Sequence, residues 1–243
     1  TCIRAKYPRT AVTKVDGFEY LFKKLPNTTG DEGEAYIGDS LVSFYYWNLL
    51  RKYGILEKWP ETMFKRMRNW GLNTIGNWSE KEILTKSNIP FTYSFRTTEN
   101  SNFSFGHGMN DVFHPGWKVH VDKVFKEATE FRNNPYLIGY FVDNEGGWGD
   151  LNLLDIMPPD CPSREAWENY VRKKYNTLTS VNNAWNSNIP DWDSLRNMKP
   201  LPESKSGIYL TDIVAFETLY AEEYFSTIKQ TLQTYDPNHL YLG

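Results

Sequence analysis

The sequence predicts an α/β fold built on a parallel sheet, and within that class a piece of a (β/α)8 TIM barrel. Three observations carry this. Short, nearly continuous apolar runs alternate with amphipathic helical stretches. Long loops follow those runs, where barrels keep their active sites. No glycine-rich phosphate loop follows any run, so the alternative, a doubly wound open sheet, lacks its signature. Four strands can be read in 243 residues, whereas a complete barrel places eight in about 250. The expectation is therefore a partial barrel, about strands 2 to 5 with long βα loops. It occupies 1–243 as one segment truncated at both ends, and the absence of an initiator Met agrees with a cut segment.

Residues 1–40 carry turn formers and acids without periodicity and are expected to be irregular. Helices are expected over 44–53 and 61–70. The second has Pro60 suited to a first turn and a buried stripe of Met63, Phe64, Met67 and Trp70. Gly71 should end it, and 72–78 reads as a short strand. A short helix over 79–85 precedes a strand over 89–96, and a long loop runs to Pro115. An amphipathic helix over 117–132 should bury Trp117, Val119, Val121, Val124 and Phe125, and a strand over 136–142 follows it. Beyond lie helices over 163–175, opened by a capping-type "SREA", over 179–187, and over 211–235, the last ended by Asp236-Pro237. "HLYLG" closes the series as a strand. Trp167, Trp185 and Trp192 lie outside strand ends and read as cover for the barrel.

Composition excludes several partners. Net charge is −3 with no basic block, so a nucleic-acid partner has no electrostatic footprint. No apolar run approaches the length that spans a bilayer. Cys2 and Cys161 lack metal-ligand spacing. Sequons at Asn27, Asn77 and Asn102 carry little weight, being common by chance. The aromatic share, 16%, is high; most such rings fill cores, but aromatic faces also stack on the C–H faces of sugars.

The stretch "YLIGYFVDNEGGWG" (136–149) drives an apolar strand into Asp143, Asn144 and Glu145 and then adds Trp148. At the carboxyl end of a barrel strand such residues sit at a pocket mouth. Glu145, ringed by Tyr140, Phe141 and Trp148, is expected to be partly desolvated, which favours the protonated form a general acid needs. The Asn144 amide can hold a hydroxyl beside the reacting centre, and Trp148 can serve as a stacking platform. The bland readings are a surface carboxylate for Glu145 and an Asx-turn for Asn144. Asp143 is expected to make a supporting or substrate contact, or simply to turn the chain. Asn77 and Trp78 end the strand over 72–78, and Arg96 ends the next; all three are candidate substrate contacts, with Arg96 also placed to orient Glu145. His107, Asp111 and His114 fall within eight residues, match no metal-binding pattern, and read as a solvated loop. No metal site is expected.

"NNPYLIGYFVDNEGGWG" resembles the fourth-strand motif of retaining glycoside hydrolases with a (β/α)8 barrel. "MFKRMRNWGLNTIGNWSE" and "YDPNHLYLG" resemble the family 50 agarases, and "YNTLTSVNNAWNSNIPDWDSL" is similar to a segment of the family 42 β-galactosidases. The resemblance runs from about Phe44 to Gly243. It implies an agarase-like enzyme without cofactor, cleaving β-galactosidic linkages in an agarose-type galactan. Glu145 would be its acid/base, and Asn144 would bind the hydroxyl next to the anomeric carbon. The nucleophile would come from a seventh strand beyond Gly243. The alternatives are a β-galactosidase on smaller galactosides and a catalytically inactive carbohydrate-binding barrel. The expected partner is a carbohydrate substrate, and the expected location is secreted or periplasmic.

Overall fold

A computed structural model describes residues 52–53, 58–148, 152–201 and 207–243, together with the backbone of 35–37 and 40–42. The chain divides into two compact units, residues 1–93 with 135–139, and residues 94–134 with 140–243.

In the first unit β1 (Ala35–Ile37) and β2 (Ser40–Val42) form a short antiparallel pair where the sequence suggested irregular chain. Of the helix expected over 44–53 only Lys52 and Tyr53 are described, and both are helical; the rest lies outside the described residues. Helix α1 (Lys58–Asn69) takes Pro60 in its first turn and buries Trp59, Phe64 and Met67. Trp70, expected in that stripe, is exposed, because the helix has already ended. Gly71 adopts φ +71°, its N–H donates to Arg68 O, and Leu72 N–H reaches back to Met67 O at 2.8 Å. That is the paired closure a glycine in the left-handed region permits.

The strand expected over 72–78 shrinks to a single parallel bridge, Ile75 to Phe91. Ser79 Oγ donates to Gly76 O at 2.9 Å and Trp78 sits at φ +61°, so a turn replaces the strand's second half. Helix α2 (Lys81–Leu84) is one turn, and β3 (Phe91–Phe95) follows. Within this unit Phe91 N–H donates to Tyr136 O, and Thr92 N–H donates to Ile75 O.

A three-stranded sheet has the order β3-β6-β7, with β6 at Leu137–Val142 and β7 at Leu240–Tyr241. Strands β3 and β6 begin in the first unit and end in the second. Register advances in the same direction on paired strands. Tyr136 O accepts from Phe91 while Phe95 O accepts from Asp143, and Leu242 N–H donates to Tyr140 O while Val142 N–H donates to Gly243 O. The pairing is therefore parallel. Each strand lies beside its successor, with no reversal of order.

In the second unit the loop after β3 contains an unforeseen hairpin, β4 (Ser104–Gly106) and β5 (Met109–Asn110). Helix α3 (Trp117–Phe125) passes into a 3-10 turn over Lys126–Glu130. It buries Trp117, Val121 and Phe125 at four-residue spacing. Val119, two residues from Trp117 and so on the far face, is 72% exposed, against expectation. Strand β6 was expected to be covered on both sides, yet Ile138 and Phe141 are each more than a third exposed.

Helices α4 (Leu153–Ile156), α5 (Pro162–Tyr175), α6 (Leu178–Trp185), α7 (Trp192–Asn197) and α8 (Gly207–Tyr235) follow. Asn152, Thr177 and Asp191 cap α4, α6 and α7 by accepting backbone N–H groups. The "SREA" cap does not form: Pro162 opens α5, and Ser163 Oγ donates instead to Asp111 at 2.7 Å. Arg164, almost fully buried, donates to the carbonyls of Leu154, Met157, Arg196 and Met198, tying α4, α5 and α7 together. Buried Asp212 of α8 accepts from Lys174, Tyr175 and Trp185. Trp167 and Trp185 stack in this layer at 5.8 Å and are buried.

Asp236, just past α8, accepts from the Tyr140 hydroxyl, from His239 Nδ1 and from Asn238 N–H. Burial favours its neutral form, but these bonds outweigh burial and hold the carboxyl below its usual range. Its contribution is therefore present above the unfolded value, about 3.9, and is lost as pH falls through the folded one. Asp236→Asn should cost about 1–3 kcal/mol at neutral pH. It should also flatten the loss of stability below about pH 4, measured by denaturant unfolding at several pH values.

Candidate active site

The candidate site is the segment that leaves β6. Asp143 and Glu145 adopt φ +57° and +51°, left-handed conformations that cost a non-glycine residue about 1–3 kcal/mol each. Three elements of the second unit hold the segment in place. From the end of β3, Thr97 N–H donates to Asp143 Oδ1 at 2.6 Å, Thr98 N–H donates to the same oxygen at 3.3 Å, and the Thr97 hydroxyl donates to Oδ2. From α8, the Tyr224 hydroxyl donates to Oδ2 at 2.6 Å. From the β4–β5 hairpin, His107 O accepts from Gly147 N–H at 3.0 Å.

Glycines allow this closeness. A Cβ on Gly108, which has φ +71°, would stand 3.1 Å from Gly146 Cα, and a Cβ on Gly146 would stand 2.7 Å from Trp148 Nε1. Trp148 is wedged against α8, stacked on Phe225 at 5.2 Å and edge-on to Tyr224 at 5.1 Å. It keeps 37% exposure. One face of the expected sugar platform is therefore occupied by protein, and truncating the ring would disturb packing as well.

Asn144 and Glu145 project from this clamped segment and are exposed. The expectation of a half-desolvated Glu145 is not met: Tyr140, expected in its surround, is wholly buried and turned toward Asp236. Arg96 pairs with Glu99 at 3.3 Å rather than with Glu145. Asp143, expected in a supporting or substrate contact, makes supporting contacts, its oxygens engaged by Thr97, Thr98 and Tyr224. Asn77 and Trp78 lie in the first unit, where Asn77 Oδ1 accepts from the Thr92 hydroxyl at 2.7 Å and Trp78 is exposed.

The loop carrying His107, Asp111 and His114 is not simply solvated. Asp111 is buried, its carboxylate accepting from Ser163 and Phe113 N–H, and His114 stacks on Phe103 at 4.6 Å. Among the described residues no cluster of His, Cys, Asp and Glu is arranged to hold a metal, and no helix is long and apolar enough to cross a membrane. A groove of about 1180 Å3 opens between α5 and α8, lined by Phe113, Tyr170, Phe216 and Leu219 among others, and none of the candidate residues lines it.

Residues 94–241 match a model of the glycoside hydrolase 42 β-galactosidase family. The chain belongs to that family. It is also 28% identical over 226 residues to β-agarase B of Vibrio sp. (strain JT0107), covering 84% of this chain and 24% of the agarase. Similarity to β-galactosidase BglY of Alicyclobacillus acidocaldarius subsp. acidocaldarius is 29% over 90 residues, 35% of this chain and 12% of that protein. Among solved structures, an exo-β-agarase superposes with a TM-score of 0.73 at 30% identity, over 84% of this chain and 31% of its own. The chain thus spans about a quarter of the curated agarase and under a third of the solved one.

Within this family member, sequence reading found the segment but missed Thr97, Thr98, Tyr224 and the hairpin tip that fix it. Tyr220 and Tyr224 recur at i,i+4 on α8, a signal of one buried face with polar tips, but their partner could not be read from spacing. Gly146→Ala should lower stability by about 1–3 kcal/mol, since the added Cβ would crowd the Trp148 ring, which is packed on Phe225 and Tyr224. Thermal unfolding of the variant beside Gly71→Ala, where a Cβ meets open space, separates crowding from φ strain.

Proposed function

We propose that this chain forms part of a (β/α)8-barrel glycoside hydrolase that cleaves β-galactosidic linkages of an agarose-type galactan with retention. The observation carrying the substrate class is the extent of likeness. β-Agarase B aligns with 84% of the chain, β-galactosidase BglY with 35%. The strand sequence Ile75, β3, β6, β7, parallel and in unbroken order, supports a barrel over a doubly wound sheet.

In this reading Glu145 gives its proton to the glycosidic oxygen as the bond to the anomeric carbon breaks. A second carboxylate traps the sugar as a covalent intermediate. Glu145 then takes a proton from the water that releases it. Retention requires the two carboxyls to lie about 5–5.5 Å apart, and the resemblance to retaining barrel hydrolases implies that the nucleophile comes from the seventh strand. Asn144 holds the neighbouring hydroxyl, the open part of the Trp148 ring borders the sugar, and Arg96 supplies a polar contact. Trp78, exposed in the first unit, is a sugar contact in its own right. A galactan-degrading enzyme would act outside the cytoplasm.

A second reading, hydrolysis of smaller β-galactosides, is favoured by the family match over 94–241. In the full-length protein, Glu145→Gln should lower kcat/KM on agarose oligosaccharides by about 10²–10⁴-fold. Unchanged turnover removes Glu145 from the acid role. Cleavage of small galactosides but not of agarose oligosaccharides selects the second reading, and binding without cleavage by the wild type selects an inactive carbohydrate-binding barrel.

A further inference from the structure

We infer that Asp143 is a positioning residue for the general acid, and that Tyr224 on α8 is the second half of the same device. The inference rests on the proposed role of Glu145. A carboxylate offers about four acceptor sites, and four donors fill those of Asp143: Thr97 N–H and Thr98 N–H on Oδ1, the Thr97 and Tyr224 hydroxyls on Oδ2. No acceptor capacity remains for a sugar hydroxyl, so Asp143 does not bind substrate.

The donors are themselves fixed. Thr97 is wholly buried. Its carbonyl accepts from Asn110 Nδ2 at 3.1 Å and faces His120 Nε2 at 2.7 Å, and its hydroxyl accepts from Asn110 Nδ2 at 3.2 Å. Asn110 is anchored in turn by the Tyr220 hydroxyl, which donates to its carbonyl. Tyr224 stacks on the buried Trp117 at 5.7 Å and meets Trp148 edge-on. Burial and the neighbouring Asp143 carboxylate both push its hydroxyl upward in pKa, so it remains a proton-bearing donor.

The consequence is directional. Asp143 stands two residues before Glu145, and both residues adopt left-handed conformations. Such strain persists only where surrounding bonds over-determine it, and here those bonds converge on one carboxylate. Releasing it lets Asp143 relax toward extended or helical backbone, which re-aims Asn144 and Glu145 without removing either. A displacement of the acid by about 1 Å is enough to cost on the order of 10²-fold in rate.

The test uses the full-length protein, Asp143→Asn and Tyr224→Phe, with an agarose oligosaccharide and an activated aryl β-galactoside whose leaving group needs no proton. The expected result is a fall of about 10- to 100-fold in kcat/KM on the oligosaccharide relative to the aryl substrate, with KM for the oligosaccharide within about twofold. In a Glu145→Gln background the same substitutions should add nothing, because residues acting through one group are non-additive. Equal losses on both substrates, or a full further loss in the Glu145→Gln background, overturn the inference while leaving the hydrolase reading intact. A wild type inactive on both substrates overturns the functional reading and this inference with it. Tyr224→Phe removes one hydroxyl and keeps the ring, so the test stands even if Asp143→Asn fails to fold.

Discussion

The carboxylate of Asp143 is the point at which three separate segments of the second unit become one structure. The end of β3 reaches it through Thr97 and Thr98, α8 through Tyr224, and the chain leaving β6 supplies it. Hydrogen bonds to a charged group contribute about 1.5–3 kcal/mol each, so four of them outweigh the left-handed strain at Asp143. Everything proposed for Asn144 and Glu145 depends on that balance, because a relaxed backbone would present the same side chains in another direction.

Around this point the fold divides its labour. The parallel strands bring chain ends to one edge, as sequential βα units do. The helical insertion from α4 to α7 is held by its own buried charges, Arg164 on backbone carbonyls and Asp212 under Lys174, Tyr175 and Trp185. Removing one member of such a set leaves the other unpaired in a dry interior, which is the costly direction. Helix α8 serves both regions. Asp212, near its start, fastens α5 and α6, while Tyr220, Tyr224 and Phe225, about two to four turns on, shape the candidate site.

Much of this was legible in the sequence because its signals are local. Gly71 marks the end of α1 correctly, though the helix starts at Lys58 and takes in Pro60 rather than following it; the spacing of Trp117, Val121 and Phe125 gives the buried face of α3, and the apolar run before Asp143 gives β6. Most failures are of the opposite kind. The strand over 72–78 was lost to a turn at Gly76–Ser79, Ser163 turned from a helix cap to a partner of Asp111, and Trp148 packs against α8 as much as it faces outward. The turn is local, set by Ser79 on Gly76 O and the left-handed Trp78, but the other two depend on residues far away in the chain, and periodicity carries no information about such pairs. The four donors to Asp143 belong to the same class: Thr97, Thr98 and Tyr224 are unremarkable in sequence and decisive in space.

The most direct measurement is a structure of the full-length protein, carrying an inactivating substitution at the proposed nucleophile, with an agarose oligosaccharide bound. The account predicts the scissile oxygen within about 2.6–3.2 Å of the Glu145 carboxyl, the adjacent hydroxyl on the Asn144 amide, and Asp143 still bonded to Thr97 and Tyr224. An oligosaccharide seated in the groove between α5 and α8 instead, with Glu145 turned away in solvent, would contradict it.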